Sequence, residues 1–192
     1  MVELLKSIPV AFYAAVLGSL IALTSSYLTN RSNTRRLKLQ FELERETKER
    51  EFIRDKVEEL YLLHEEWLNV FASSNLPLIS VMKGETTYND ALDMFIDGNK
   101  NRTVNFKRLQ MLVDLYFPDV KASFDRLATA RDEVNKIKAE HKRQYKRGNI
   151  DGTAYVMPFI EAQQKLEGEA SHVKEQIIQQ STRFKSFAYQ RR

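Results

Sequence analysis

The sequence contains no cysteine and has only six glycines and four prolines among its 192 residues. The lack of cysteine excludes disulfide scaffolds, thiol nucleophiles and cysteine-ligated zinc or iron–sulfur centres. So few glycines and prolines leave little turn material for a fold of many strands. No period-two stretch is long enough for a paired strand, whereas helical apolar spacing recurs along the chain. We therefore expect an all-α fold.

Catalytic and cofactor-binding motifs are also missing. The chain has no phosphate-binding glycine loop, no G-x-S-x-G elbow and no H-E-x-x-H helix. Glu169 and His172 have the Glu-x-x-His spacing of di-iron bundles, but such a site needs a second copy of the motif and two further carboxylates. The sequence therefore predicts no catalytic residue, no cofactor and no metal site, in a protein that is not an enzyme.

Charge is absent from one long segment. Residues 8–29 carry no charged side chain and are mostly apolar. As a helix this segment is roughly 33 Å long, which matches the hydrocarbon thickness of a bilayer. The alternatives are a cleavable signal peptide, which has a shorter apolar region, and a core helix, which needs a larger protein around it. We expect residues 1–30 to form a transmembrane anchor.

The flanks of this segment predict its orientation. Before it, only Lys6 is basic, and Glu3 offsets it, whereas four basic residues follow within ten positions. The positive-inside rule then leaves the N-terminus outside and residues 31–192 in the cytoplasm of a single-pass inner-membrane protein. The membrane-flanking basic residues are Arg31, Arg35, Arg36 and Lys38.

Small residues recur on one face of the same segment. Ala14, Gly18, Ala22 and Ser26 are spaced by four. Small side chains at this spacing let two transmembrane helices approach closely, so self-association is expected. The alternative is that alanine, glycine and serine are simply common in such helices.

The remaining chain predicts a charged juxtamembrane helical stalk over 31–52 and an elongated, coiled-coil-like helical bundle over 53–192. The first apolar seam is expected to end at residues 73–77. Thr87 and Asp90 predict a helix N-cap that opens a helix with Tyr88, Leu92 and Phe95 turned inward. Two long helices joined by a short turn near Gly148 are expected to pair antiparallel. The seam of the first one, from Val120 to Tyr145, becomes polar late and is expected to be less deeply packed there. Basic residues that crowd its last turns, Lys142, Arg143, Lys146 and Arg147, would complement its macrodipole.

The C-terminus is basic and aromatic. Phe184, Phe187 and Tyr189 alternate with four basic residues that are possible contacts for a partner or a nucleic acid: Arg183, Lys185, Arg191 and Arg192. The net charge of +4 is small, which favours a frayed helix end over nucleic-acid binding.

The segment Leu112-Val113-Asp114-Leu115-Tyr116-Phe117-Pro118, in a chain with one N-terminal span and a basic flank, resembles a group of uncharacterised bacterial single-pass inner-membrane proteins. The resemblance implies an all-helical cytosolic domain and permits a link to defence or toxin-like modules. It carries over no functional residue.

These observations predict a non-enzymatic, membrane-anchored interaction module whose partners are the lipid bilayer, further copies of itself and an unknown cytosolic protein. One alternative is a membrane-perturbing defence effector that a cytosolic partner controls. A second alternative is a membrane-tethered nucleic-acid binder.

Overall fold

The computed structural model describes the backbone of residues 10–100 and 105–189 and the side chains of residues 12–100 and 105–182. All regular elements in these ranges are helical, and none of the described residues forms a strand. The expected all-α fold class is thus confirmed. The elements are α1 (Val10–Met82), α2 (Tyr88–Gly98), α3 (Phe106–Tyr116), a 3₁₀ turn (Pro118–Val120), α4 (Lys121–Lys146) and α5 (Thr153–Tyr189).

The chain divides into two compact units, an N-terminal unit that ends at Glu51 and a C-terminal unit that begins at Phe52. The described part of the N-terminal unit is the portion of α1 up to Glu51, and every side chain described in it is exposed. Its side-chain bonds are local: Arg45 Nε donates to Glu49 Oε1 at 2.9 Å, and Thr24 Oγ1 donates to the carbonyl of Leu20 at 2.9 Å. None of the side chains described in this unit is therefore buried in a core.

The C-terminal unit has a continuous apolar core. α4 and α5 pair antiparallel, as expected, because their cross-contacts run in opposite directions along the chain: Arg126 to Glu169 at 3.0 Å and Lys165 to Glu133 at 2.8 Å. Residues at alternating three- and four-residue steps fill the interface, since this spacing keeps them on one helix face. The largest of the fully buried apolar side chains include Leu60, Leu109, Leu127, Phe159, Leu166 and Ile177.

The last part of α1 belongs to this core. Val57, Leu60 and Trp67 are buried, and the Trp67 ring lies 5.1 Å from that of Phe106 on α3. On the side of α5, Lys174 Nζ lies 3.1 Å from a carboxylate oxygen of Glu65. This segment of α1 therefore packs against both α3 and α5.

The predicted end of the first seam at residues 73–77 is wrong, because α1 continues through Pro77 to Met82. Proline lacks the N–H that would bond to the carbonyl of Ser73, which costs the helix one hydrogen bond. Burial of Leu78, Val81 and Met82 offsets this cost, since each removes apolar surface from water. Tertiary packing thus overrides the local helix-breaking signal.

Two other expectations at helix ends are resolved by the structure. Thr87 and Asp90 form the predicted capping box, which begins α2. Gly148 has a φ of +90° just after α4, the left-handed conformation for which glycine was expected there. Leu92 does not turn inward, however: its side chain is 54% exposed, and the buried residue of α2 is Ala91.

Candidate functional site

One helix is long and apolar enough to cross a membrane. α1 contains an 18-residue window with a mean hydropathy of 1.4, and none of that window is buried. Large apolar side chains on it stand free, with Leu17 60% and Leu23 68% exposed. Length and composition of this kind are shared by signal sequences near an N-terminus, so the alternative of a signal peptide stays open.

The small residues of this helix lie on an unobstructed surface. Ala14, Gly18, Ala22 and Ser26 are all helical and exposed, and their four-residue spacing keeps them on neighbouring turns of one side. A Cβ added at Gly18 would have no atom within 4 Å. The row is therefore open to a second helix.

The predicted basic residues are described only in part. The membrane-flanking set, Arg31, Arg35, Arg36 and Lys38, lies in α1 and is exposed. Of the C-terminal set, Arg183 and Lys185 lie in α5, but their side chains fall outside the described residues. Arg191 and Arg192 lie outside the described residues altogether.

A groove of about 650 Å³ lies within the C-terminal unit, where the end of α1, the first two turns of α2 and the second half of α4 meet. Its apolar lining comes mainly from α1 and α2 and includes Leu78, Ala91, Leu92 and Phe95. Its α4 wall carries three lysines one helical turn apart, Lys138, Lys142 and Lys146. No carboxylate belongs to the described lining, so the groove joins a mainly apolar wall, which also includes Ser74 and Asn89, to a wall of positive charge.

In the described structure, none of the three lysines has an anionic partner. None of them forms an ion pair with a residue in the described parts of the chain. Lys138 Nζ lies 5.7 Å from the centre of the Phe71 ring and Lys142 Nζ lies 5.8 Å from that of Tyr88, so aromatic faces take the place of carboxylates. Burial, and secondarily the charge of Lys142, lowers the pKa of Lys138. The wall therefore holds a partly desolvated cation without a counter-ion.

His141 lies beside the groove and is fully buried. Arg131, Lys138 and Tyr145 of the same seam are only half-buried, so the expected shallower packing of its late part holds for these three residues and fails for His141. The Nδ1 of His141 is 2.7 Å from the hydroxyl of Tyr88, which joins α4 to the first turn of α2. Burial lowers the pKa of His141 and raises the pKa of Tyr88 to about 12, so both groups are neutral at pH 7. This pair anchors α2 and carries no activated nucleophile.

The turn after α4 closes against the same histidine. Gly152 donates its backbone N–H to the carbonyl of Met82 at 3.0 Å. A Cβ at Gly152 would lie 2.9 Å from Met82 Cα and would also collide with Nε2 of His141. Only glycine lets the turn approach this closely, so the end of α1 and the start of α5 are held together beside the groove.

The residues with di-iron spacing do not form a metal site in the described structure. Glu169 Oε2 accepts a hydrogen bond from Arg126, and His172 is exposed. No cluster of three or more potential metal ligands occurs among the described residues.

Sequence reasoning missed the groove. Its only sequence signal is the four-residue spacing of Lys138, Lys142 and Lys146. Basic residues near the end of a helix are equally well explained by their favourable interaction with the helix macrodipole. The other walls come from residues 74–95, more than forty positions away in the chain. Only the packing of α2 against α4 turns a basic helix end into a concave surface.

Comparison of the chain with protein-family models, with curated proteins and with solved structures gives no match. A proposal about function therefore rests on the residues of this chain and on their geometry.

Proposed function

We propose that the chain is a non-enzymatic, membrane-anchored interaction module of the inner membrane. The observation that carries the proposal is the charge-free part of α1, in which every described large apolar side chain is exposed. In water such a surface is unfavourable by about 25 cal/mol per Å² of apolar area. In lipid it costs nothing, and a helix satisfies its own backbone hydrogen bonds there.

Charge supports one orientation of this anchor. The exposed basic residues Arg31, Arg35, Arg36 and Lys38 follow the apolar part directly. Cations in this position favour the cytoplasmic leaflet, whose anionic headgroups attract them by about 1 kcal/mol each. The proposal therefore places the N-terminus outside and the C-terminal unit in the cytoplasm.

The small-residue row supports self-association of the anchor. Within lipid, helices associate through close backbone packing because no hydrophobic driving force exists between them. The open surface at Gly18 is compatible with such packing, since nothing in the described structure occupies it. Further copies of the chain are thus the first proposed partner.

Alkaline extraction of membranes and protease treatment of spheroplasts test the anchor. The full chain is expected to stay in the membrane pellet at high pH, with its C-terminal unit protected from external protease. The matched control replaces Leu20 and Leu23 by arginine, which should release the chain because each charge costs about 2.5–3.5 kcal/mol at mid-membrane. Full-length protein in the supernatant, or a mature N-terminus after Tyr27, would refute the proposal.

Cross-linking in membranes tests self-association. Gly18→Ile places a branched side chain in the small-residue row and is expected to reduce the cross-linked dimer severalfold. As the control, Leu17→Ile introduces the same isoleucine side chain at the neighbouring position, which lies outside the small-residue row. This variant should leave the amount of cross-linked dimer unchanged. Growth after induction separates the alternative function: loss of viability that Gly18→Ile abolishes would favour a membrane-perturbing effector over an interaction module.

A further inference from the structure

The groove between the end of α1, α2 and α4 has two unlike walls. Leu78, Ala91 and Leu92 present apolar surface, and the facing side of α4 presents Lys138, Lys142 and Lys146. We propose that this groove is the docking site for an acidic amphipathic helix of a partner protein. The inference deepens the interaction role proposed above, and rests on it, by naming the surface and the chemistry of the partner.

Charge complementarity identifies the occupant as acidic. The three lysines extend over about 12 Å of α4, at intervals of about 6 Å. Acidic side chains four residues apart on a partner helix repeat at the same interval. A single headgroup phosphate would neutralise only one part of so long a row, whereas two turns of an acidic helix cover all of it.

The half-buried lysine strengthens this argument. Lys138 is packed near Phe71 and has no carboxylate partner in the described structure. A cation that burial has partly desolvated interacts strongly with an incoming carboxylate, because water screens the pair less. The groove therefore favours a charged partner over a purely apolar one.

An exposed apolar residue of α2 in the groove favours a partner with an apolar face. Leu92 lines the groove and is 54% exposed, although it lies on a helix of a folded unit. A helix with apolar residues at positions i, i+3, i+4 and i+7 would cover such a surface, and acidic residues beside that stripe would reach the lysines.

The groove is formed before any partner binds. Ser73 and Asn99 are joined by a side-chain hydrogen bond of 3.1 Å, and Tyr88 is joined to His141, so both ends of α2 are attached to neighbouring helices. A preformed site loses little conformational entropy on binding.

A selection from a displayed peptide library tests the proposal. The library holds 18-residue helices with the apolar stripe fixed and the flanking positions randomised among Glu, Lys, Gln and Ser. The bait is the full chain in nanodiscs of neutral phosphatidylcholine. We expect selected peptides to be rich in Glu on one flank. The combined variant Lys138→Ala, Lys142→Ala, Lys146→Ala should weaken their binding about tenfold, since three ion pairs are lost and one of them involves a half-buried lysine.

The matched control, Lys48→Ala, Lys83→Ala, Lys107→Ala, removes the same charge from exposed positions outside the groove and should bind within about twofold of the parent. Leu92→Asp should abolish binding independently, because its site is exposed and the change spares the core. Basic or neutral selected peptides, no selected peptide, or equal binding to both triple variants would overturn the proposal. So would competition by phosphatidylglycerol nanodiscs that depends on the three groove lysines, which would indicate a lipid site. These outcomes leave the alkaline extraction result untouched, so the groove and the anchor fail separately.

Discussion

The two units of this chain are both helical, but they differ in whether their side chains are buried. In the N-terminal unit every described side chain of α1 is exposed, whereas the C-terminal unit buries side chains from each of its helices. The N-terminal unit joins an apolar segment, which ends at residue 29, to a charged segment from Arg31 to Glu51, and no described side chain of either is buried. The C-terminal unit is packed and has ion pairs such as Arg126–Glu169 on its surface. A helix segment that is apolar on all sides fits the proposed lipid environment, while a one-sided stripe fits packing against other helices.

The difference also separates the two kinds of interaction surface. The small-residue row at Gly18 is a flat feature of one helix, readable from spacing alone. The lysine-lined groove needs three helices to exist. Disruption of packing should therefore harm the groove and leave the N-terminal helix intact.

The largest difference in the free energy of unfolding is expected between alanine substitutions at two phenylalanines. Phe159 is fully buried, so Phe159→Ala should lower the free energy of unfolding by about 3–5 kcal/mol through lost burial and a cavity. Phe41 is 66% exposed, so Phe41→Ala should change the free energy of unfolding by less than about 0.5 kcal/mol. Urea unfolding in detergent micelles, followed by the fluorescence of Trp67 in the C-terminal core, measures both. Equal losses would contradict the division into a packed and an unpacked unit.

A smaller difference in stability is expected between alanine substitutions at two glycines. Gly152→Ala should cost about 1–3 kcal/mol, because the new Cβ collides with His141 and with the backbone of Met82. Gly18→Ala should cause no loss, since its Cβ meets open space. Thermal unfolding monitored by helical circular dichroism compares the two. An unchanged midpoint for Gly152→Ala would mean that the turn does not depend on this close approach.

The smallest effect concerns pH and belongs to the C-terminal unit alone. Burial lowers the pKa of His64 and of His141; for His64 the nearby Glu65 partly opposes this. The unfolded chain therefore takes up protons near pH 6.5, where the folded chain does not. Stability is full above that pH and is lost as the pH falls through 6.5 toward the lower folded-state pKa values.

We expect the thermal midpoint to decrease between pH 7.5 and 5, and the decrease to be smaller in His64→Leu. Leucine fills a similar volume and removes two buried nitrogens that lack a hydrogen-bond partner. The N-terminal unit contributes nothing to this dependence, because no histidine lies in its described part. A pH-independent midpoint in the parent chain would contradict the buried, neutral state of both histidines.

Local signals in the sequence were sufficient where the determinant is itself local. The capping box at Thr87 and Asp90 and the left-handed glycine at Gly148 were both predicted and are confirmed. Pro77 and Leu92 were misjudged because distant residues decide their surroundings. Burial of Val81 and Met82 carries α1 past the proline, and the small Ala91 takes the inward position on α2.

By itself the sequence determined helices, the charge-free segment and the placement of basic residues beside it, because periodicity and charge are properties of neighbouring positions. Only the tertiary structure decided that Lys138, Lys142 and Lys146 face Leu78 and Leu92 across a groove, and that His141 is buried against Gly152. Concave surfaces arise from elements far apart in the chain. Their geometry depends on side-chain packing, which no local pattern encodes.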